Sequence, residues 1–530
     1  MKRYKATFAG RVVLFAVIIA IVVGCVAAVS YFIPSNEDPV KENVTATESN
    51  KTTEKNENKK PTSTNVSNKN DVEANVTINL SLDEWIGWEP ILYANKGFET
   101  QPGSIFDKLG IDVKIHIIND ADASSNALIK GDLNAAGYTL NRTAFLSGKF
   151  TDAGLDIVMP VFTNYSDGGD GIIALSNINS IEDLVDAKIG VPKFSEAQSM
   201  VVWFINNSDL TDAQKKSIID NLVLLDDAEQ TGQAFFAGSL DVAATWQPYL
   251  SYAEDSTDSH ILFDTSSSNK LILDGIVFRA DFAKAHPNVV SKFIDGIFMA
   301  LEEYESDFNT IRKIMPMFAG MTDEEIAATR MDAGMMGYAE NVKSLENDCP
   351  VIYSDMCDVW ESIGETVNRS LGATLFDASY VKALSDKYSS VEVTTEKPVE
   401  ITEEQRAEAV DIPSMLTKTC TIEFYPDTAK FKDPAEAAAI LDEFIKIAKV
   451  LDGTIIQIEG NINFDGYICS NDALSTSRAQ AVMKYFVANG IEPNRIIVIG
   501  NGNSKMLVDP SSGDTQLNRR TDIFFKTVGA

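Results

Sequence analysis

Residues 124–139 read SSNALIKGDLNAAGYT, and this stretch decides the fold class. Serine opens an amphipathic helix, Gly131 closes it, and LNAAGYT (133–139) follows as a short apolar run of strand type. The same alternation continues on both sides. VTINLSL (76–82) and VKIHII (113–118) read as strands before it. After it come GIIAL (171–175), SIEDLVD (180–186) with Ser180 and Glu182 as cap signals, KIGVP (188–192), and a helix from Ser195 to about Phe204. Strands alternating with helices at this spacing imply parallel sheets flanked by helices, with ligands held at the C-terminal ends of strands. The fold class is α/β.

The chain of 530 residues is too long for one core. Its formal net charge of −32 excludes phosphate-backbone binding, which needs clustered Lys and Arg, so no nucleic-acid partner is expected. Five cysteines (25, 349, 357, 420 and 469) are too scattered for a zinc site or a disulfide scaffold, although Cys349 and Cys357 could pair outside a cell. The three histidines, His116, His260 and His286, are not spaced as ligands or beside a nucleophile. No metal, cofactor or catalysis is therefore expected.

The basic tip MKRYKATFAGR precedes an uncharged run at 12–33 that suits one transmembrane helix, with everything after residue 34 extracytoplasmic. VVGC at 22–25 also resembles a lipoprotein cleavage box with Cys25 as the lipidated residue, but the apolar run continues to Ile33, which favours an uncleaved anchor. Residues 36–75 are polar and too poor in large apolar side chains to order themselves, and an acidic stretch at 388–411 reads as a second linker. Two ordered regions remain, 76–387 and 412–530.

In the first, SLDEWIGWEP, ANKGF, SSNALIKGDLNAAGYT, SDGGDGIIAL, SIEDLVDAKIGVP, FFAGSLDVAATWQPYL and LDGIVFRADFAKAHPNVVSKFIDG occur in that order. This series resembles the ABC-transporter substrate-binding proteins of the nitrate, taurine and sulfonate type. The resemblance implies a periplasmic-binding-protein fold. Lobe 1 would take about 76–168 and 272–387 and lobe 2 about 169–271, with crossings near 168–172 and 269–275, closing over a small solute that an ABC permease collects. It places Trp85, Trp88, Glu89, Thr139, Ser166, Asp170, Ser195, Gln198, Trp246 and Asp274 in the cleft. These positions offer no clear arginine. Tryptophan faces beside carboxylates, with Glu196 added, suit a cationic or zwitterionic organic ligand better than an oxyanion. Residues 310–385 read as helices padding lobe 1, including a Thr-capped MTDEEI.

In the second region CTIEFYPDTAKF (420–431), an Asp-capped helix at 433–451, the strand TIIQIEG (454–460), a Ser475-capped helix closed by Gly490, and two further strands build a small α/β sandwich. The spacing Gly460, Gly466, Asn471, Leu474, Ser475, Arg478, Ala479, followed by GNGN and NRRTDI, resembles the OmpA-like peptidoglycan-binding domain. The resemblance implies a site at Asn463, Asp465, Asn471, Arg478 and Arg519 that clamps a zwitterionic wall stem peptide. Asn463 stands where that family has a carboxylate; either Asp465 supplies the charge from a reshaped loop, or the wall peptide differs so that the amine clamp matters less. The chain is thus expected to be a membrane-tethered, single-pass envelope receptor that feeds an importer, or a wall-associated sensor uncoupled from transport.

Overall fold

The computed structural model describes residues 76–527 apart from 269–270, 304–306, 316–317, 389–401, 410–413, 426, 464–472, 510 and 512–513. The expected anchor at 12–33, Cys25 and the 36–75 linker lie outside the described residues. Among the described residues no helix is long and apolar enough to cross a membrane.

Two sheets make up the first region. The larger has strand order β11-β4-β10-β3-β1-β2, formed by β1 (Thr77–Leu82), β2 (Asp112–Ile117), β3 (Ala135–Thr139), β4 (Ile157–Ser166), β10 (Leu273–Arg279) and β11 (Ala333–Met335). β1 runs parallel to β2 and β3, whereas β10 lies antiparallel between β3 and β4. The second sheet has order β7-β6-β8-β5-β9, from β5 (Asp170–Leu175), β6 (Ile189–Pro192), β7 (Val223–Leu225), β8 (Val242–Trp246) and β9 (Ser259–Asp264). The chain leaves the first sheet after β4 and returns to it at β10. Each crossing is short, and the two are bonded side by side, with the Ser166 amide donating to the Ile272 carbonyl at 3.1 Å. This is a two-lobed α/β fold with a double crossing between the lobes.

Local chemistry explains the elements. The helix Ala121–Lys130 is capped by Asp120, whose carboxylate accepts from the Ala123 amide at 2.6 Å, and it ends at Gly131 with φ 82°. Ser124 is therefore not the cap; it lies inside the helix and bonds the Tyr138 hydroxyl at 2.8 Å. The capping box at 180–186 uses Asp183, leaving Glu182 for another partner described below. Between sheet and helices lie fully buried side chains such as Ile78, Leu80, Phe162, Phe278 and Phe293, each worth about 1.5–3 kcal/mol relative to exposure. The 310–385 region is mostly helical, with Thr322 capping Asp323–Arg330, and it adds β11 to the lobe 1 edge, a strand not foreseen. Cys349 and Cys357 are buried on one helix, Cys349–Ser362. Eight residues of helix separate them by about 12 Å, too far to pair with each other.

The C-terminal sheet has order β12-β15-β13-β14, from β12 (Leu416–Cys420), β13 (Ile455–Asn461), β14 (Ile496–Gly502) and β15 (Thr521–Lys526). Helices Pro434–Val450 and Ala473–Ala488 accompany it. Arg495 is buried and donates to the carbonyls of Ala448, Leu451 and Thr454, closing the end of the first helix. Part of the stretch read as acidic linker is ordered: Glu403–Glu408 is helical, Arg406 donates to the Ile496 carbonyl at 2.6 Å, and the Ala409 carbonyl accepts from Lys526 at 2.8 Å.

Candidate functional site

The strand ends on either side of the double crossing bring one polar cluster together. β1 ends at Leu82 and presents Asp83 and Trp85. Trp88, itself buried, donates Nε1–H to Asp83 Oδ1 at 2.6 Å, and Trp85 donates to Asn164 Oδ1 at 2.8 Å. Gly169 is required here, since a Cβ would come within 2.7 Å of the Trp85 ring. β3 ends at Thr139, which caps the helix Leu140–Asp152 and donates its hydroxyl proton to Glu196 Oε1 of lobe 2 at 2.7 Å. Arg142, one turn into that helix, meets Glu196 Oε2 at 3.0 Å and lies 3.7 Å from Asp83 Oδ2. Asn141 to Ser199 at 2.9 Å and a Phe145–Phe194 stack at 4.8 Å join the lobes on the same side.

At the crossing, Ser166 donates to Asp170 Oδ2 at 2.7 Å, and Thr265 bonds both the Ser166 hydroxyl at 2.8 Å and the Gly168 amide at 2.9 Å. Trp246 stands opposite Asp170 in the β5–β8 register and is 44% exposed. Asp274 lies in β10 opposite Thr139 and Asn164. It is 4% exposed, and no described residue hydrogen-bonds its carboxylate.

Among the described residues, four carboxylates, Asp83, Asp170, Glu196 and Asp274, thus share the cluster with one guanidinium. Burial pushes Asp274 well above the usual carboxylate range, and the neighbouring Asp83, Glu196 and Asp170 push it further. Burial raises Asp170 to about 7, with the Ser166 hydrogen bond pulling the other way. Asp83 is raised by burial and eased by Arg142 and Trp88; it touches open cleft space yet is set deep among protein atoms. Burial lowers Arg142, but Glu196 and Asp83 more than compensate and keep it charged. Among the described residues the cluster is short of positive charge, the condition under which a bound cation is favoured. Among the described residues no group of His, Cys, Asp or Glu is disposed to hold a metal ion.

The expected cleft residues divide. Trp85, Thr139, Ser166, Asp170, Trp246 and Asp274 converge on the crossing. Glu89 does not: it is fully buried and gripped by Arg330 through Nε and the terminal nitrogen, with Phe308 beneath that guanidinium. Ser195 caps the helix Glu196–Asn207 and donates to the Pro192 carbonyl, and Gln198 accepts from the Phe194 amide, so both serve the loop itself. Trp88 acts behind Asp83. The expectation of no arginine is corrected by Arg142. Asp83 and Arg142 went unforeseen, although Asp83 immediately follows β1 and Arg142 lies three residues past β3, in the region where ligand-facing residues concentrate.

In the C-terminal region Ser475 is not a cap. It lies inside Ala473–Ala488, fully buried, its hydroxyl accepting from the Gly502 amide at 3.0 Å. Arg478 donates to the Thr428 carbonyl at 3.1 Å and lies over the Phe424 ring at 5.0 Å. Asn463 is half-buried after β13 and Arg519 is exposed, while Asp465 and Asn471 lie outside the described residues. Four residues before Asn463, within β13, buried Glu459 holds Lys505, Asn501 and Gln457, and burial of its carboxylate is outweighed by these partners, which lower it.

Residues 423–520 match the OmpA family, so the chain carries an OmpA domain at its C-terminus. Outer membrane protein A of Bordetella avium is 33% identical over 89 residues, 17% of this chain. The chain spans about half, 46%, of the length of that curated relative. Among solved structures, the periplasmic aliphatic sulphonate binding protein of Escherichia coli aligns at 14% identity, covering 58% of this chain and 99% of its own, with a TM-score of 0.44. The periplasmic nitrate-binding protein of Synechocystis PCC 6803 aligns at 12% identity over 65% of this chain and 92% of its own, also at 0.44.

Proposed function

We propose that this protein is a solute receptor of the cell envelope. Its two lobes close on a small organic cation at the double crossing, and an ABC permease collects that solute. The C-terminal domain binds peptidoglycan, and the N-terminal apolar run tethers the chain to the membrane. The observation that carries the ligand class is the charge balance of the cleft among the described residues: four carboxylates against one arginine that is already committed to Glu196 and Asp83. Asp274, buried and with no hydrogen bond to its carboxylate among the described residues, supplies the acceptor for an ammonium, and the Trp246 face at 44% exposure supplies a surface for an attached apolar or cationic body. Arg142 is poorly placed to serve a sulfonate or nitrate, because binding one would bring an anion among those four acids.

Calorimetry of the full chain against spermidine, choline and ethanesulfonate tests this reading, with native mass spectrometry of the purified protein to find a retained solute. An amine should bind, and Asp274→Asn should weaken it by about thirtyfold or more, the usual loss for one partner of a buried charged pair. Binding of ethanesulfonate with none of any amine sinks the ligand assignment. Retention on purified peptidoglycan, compared with Arg478→Ala, tests the wall-binding half.

A further inference from the structure

The C-terminal domain is seated on the segment through which the chain returns from lobe 2 to lobe 1. The Ile181 amide donates to the Met415 carbonyl at 3.0 Å, and the Thr417 amide donates to Glu182 Oε1 at 3.2 Å. Asp209 accepts from the Thr419 amide and pairs with Lys418 at 3.4 Å. These contacts hold β12 on lobe 2. A second set grips the crossing: the Gly453 amide donates to the Ser267 carbonyl at 2.9 Å, and the Ser268 hydroxyl donates to the Val450 carbonyl. Lys446, on the same C-terminal helix, is within electrostatic reach of Asp355 on helix Cys349–Ser362. That helix packs on the lobe 1 helix Leu140–Asp152.

Ser267 and Ser268 are two and three residues past Thr265, the residue that ties Ser166 and the Gly168 amide together at the crossing. Opening two lobes changes backbone angles at the crossing segments. Such a change moves Ser267 and Ser268 relative to Thr265, and the paired bonds to Val450 and Gly453 hold only one arrangement of the three.

We propose that the C-terminal domain is a clamp on the hinge: docked, it favours the closed cleft, so solute occupancy and docking stabilise each other. By reciprocity, a solute that favours docking by some factor is itself bound more tightly by the same factor when the domain is docked. The clamp rests on the two-lobed receptor reading but on no particular ligand.

Amide hydrogen exchange on the full chain without solute tests it, comparing the native protein with Gly453→Val and Asp209→Arg. A Cβ at Gly453 would meet the Ser267 Cα at 2.7 Å and the Ser266 carbonyl oxygen at 3.0 Å, so valine wedges the interface from the C-terminal side. Asp209→Arg breaks it from the lobe 2 side, and adding Lys418→Asp restores opposite charges. The expected result is exchange at Gly168 and Asp170 at least fivefold faster in both single variants and slowed again in the charge-swapped double variant. Loss of protection at Thr417, Thr419 and Gly453 with Gly168 and Asp170 unchanged overturns the clamp, as does no change at any of these amides. Asp209→Arg should also weaken spermidine at least fivefold; equal affinity overturns the clamp and leaves the receptor reading standing. A native protein that binds no amine sinks the ligand class alone, because the exchange arm uses no ligand.

Discussion

Solute affinity should climb with pH through neutrality, and Asp170 sets the scale. Its carboxyl is raised to about 7 by burial, while Ser166 donates to it, Thr265 orders the loop, and Glu196 and Asp83 add like charge. A bound ammonium needs the ionised form, so below that pH binding must expel a proton. Apparent affinity then falls about tenfold for each unit of pH, or about a hundredfold between about pH 7 and about pH 5. Asp274, also raised well above the usual carboxylate range, adds a second proton to the balance and steepens the slope. The stability of the solute-free protein runs the other way. The unfolded chain loses the Asp170 proton near 3.8 and the folded chain only near 7, so the Asp170 contribution to stability declines as pH rises across that window and is flat above it. Calorimetry in two buffers of different ionisation enthalpy measures both the affinity and the protons released. Asp170→Asn should flatten much of the profile. An affinity that is constant from about pH 5 to about pH 8, or that improves on acidification, refutes the reasoning.

Two further outcomes concern stability. Glu89→Gln alone should cost about 3–5 kcal/mol by leaving Arg330 buried beside a lost charge, whereas replacing both by methionine should recover most of it; a urea midpoint unchanged by the single substitution refutes the buried pair. Arg495→Met should cost about 2–4 kcal/mol, because the carbonyls of Ala448, Leu451 and Thr454 lose a charged donor, and thermal unfolding of the C-terminal region reads it directly.

The strand–helix alternation was legible because each element carries its own punctuation: Gly131 and Gly490 at helix ends, Asp433, Ser195 and Thr322 at starts. The crossings near 168–172 and 269–275 came from the resemblance to substrate-binding proteins, and Asp170 and Asp274 stand there among apolar strand residues. The side-chain partnerships were not legible. Glu89 looks like a cleft residue by proximity to Trp85 and Trp88, but its fate is set by Arg330, 241 residues further on. Nothing local announces that pairing. Arg142 was hidden for the opposite reason: it sits inside a helix, where an arginine reads as surface charge until the fold brings Glu196 against it. Ser475 shows the limit of cap signals, since a serine also suits a first-turn site facing a neighbouring strand.

Because β4 and β10 are neighbours in the lobe 1 sheet and the Ser166 amide already bonds the Ile272 carbonyl, lobe 2 is a parenthesis in the chain. Closing 166 to 272 with a tight turn would leave the six-stranded ladder of lobe 1 intact. The inserted segment is thus a unit that recombination can exchange whole, taking with it Glu196, Asp170 and Trp246 as well as the seat of the C-terminal domain. Ligand choice and that seat would change hands in one step, while the lobe 1 sheet kept its hydrogen bonds.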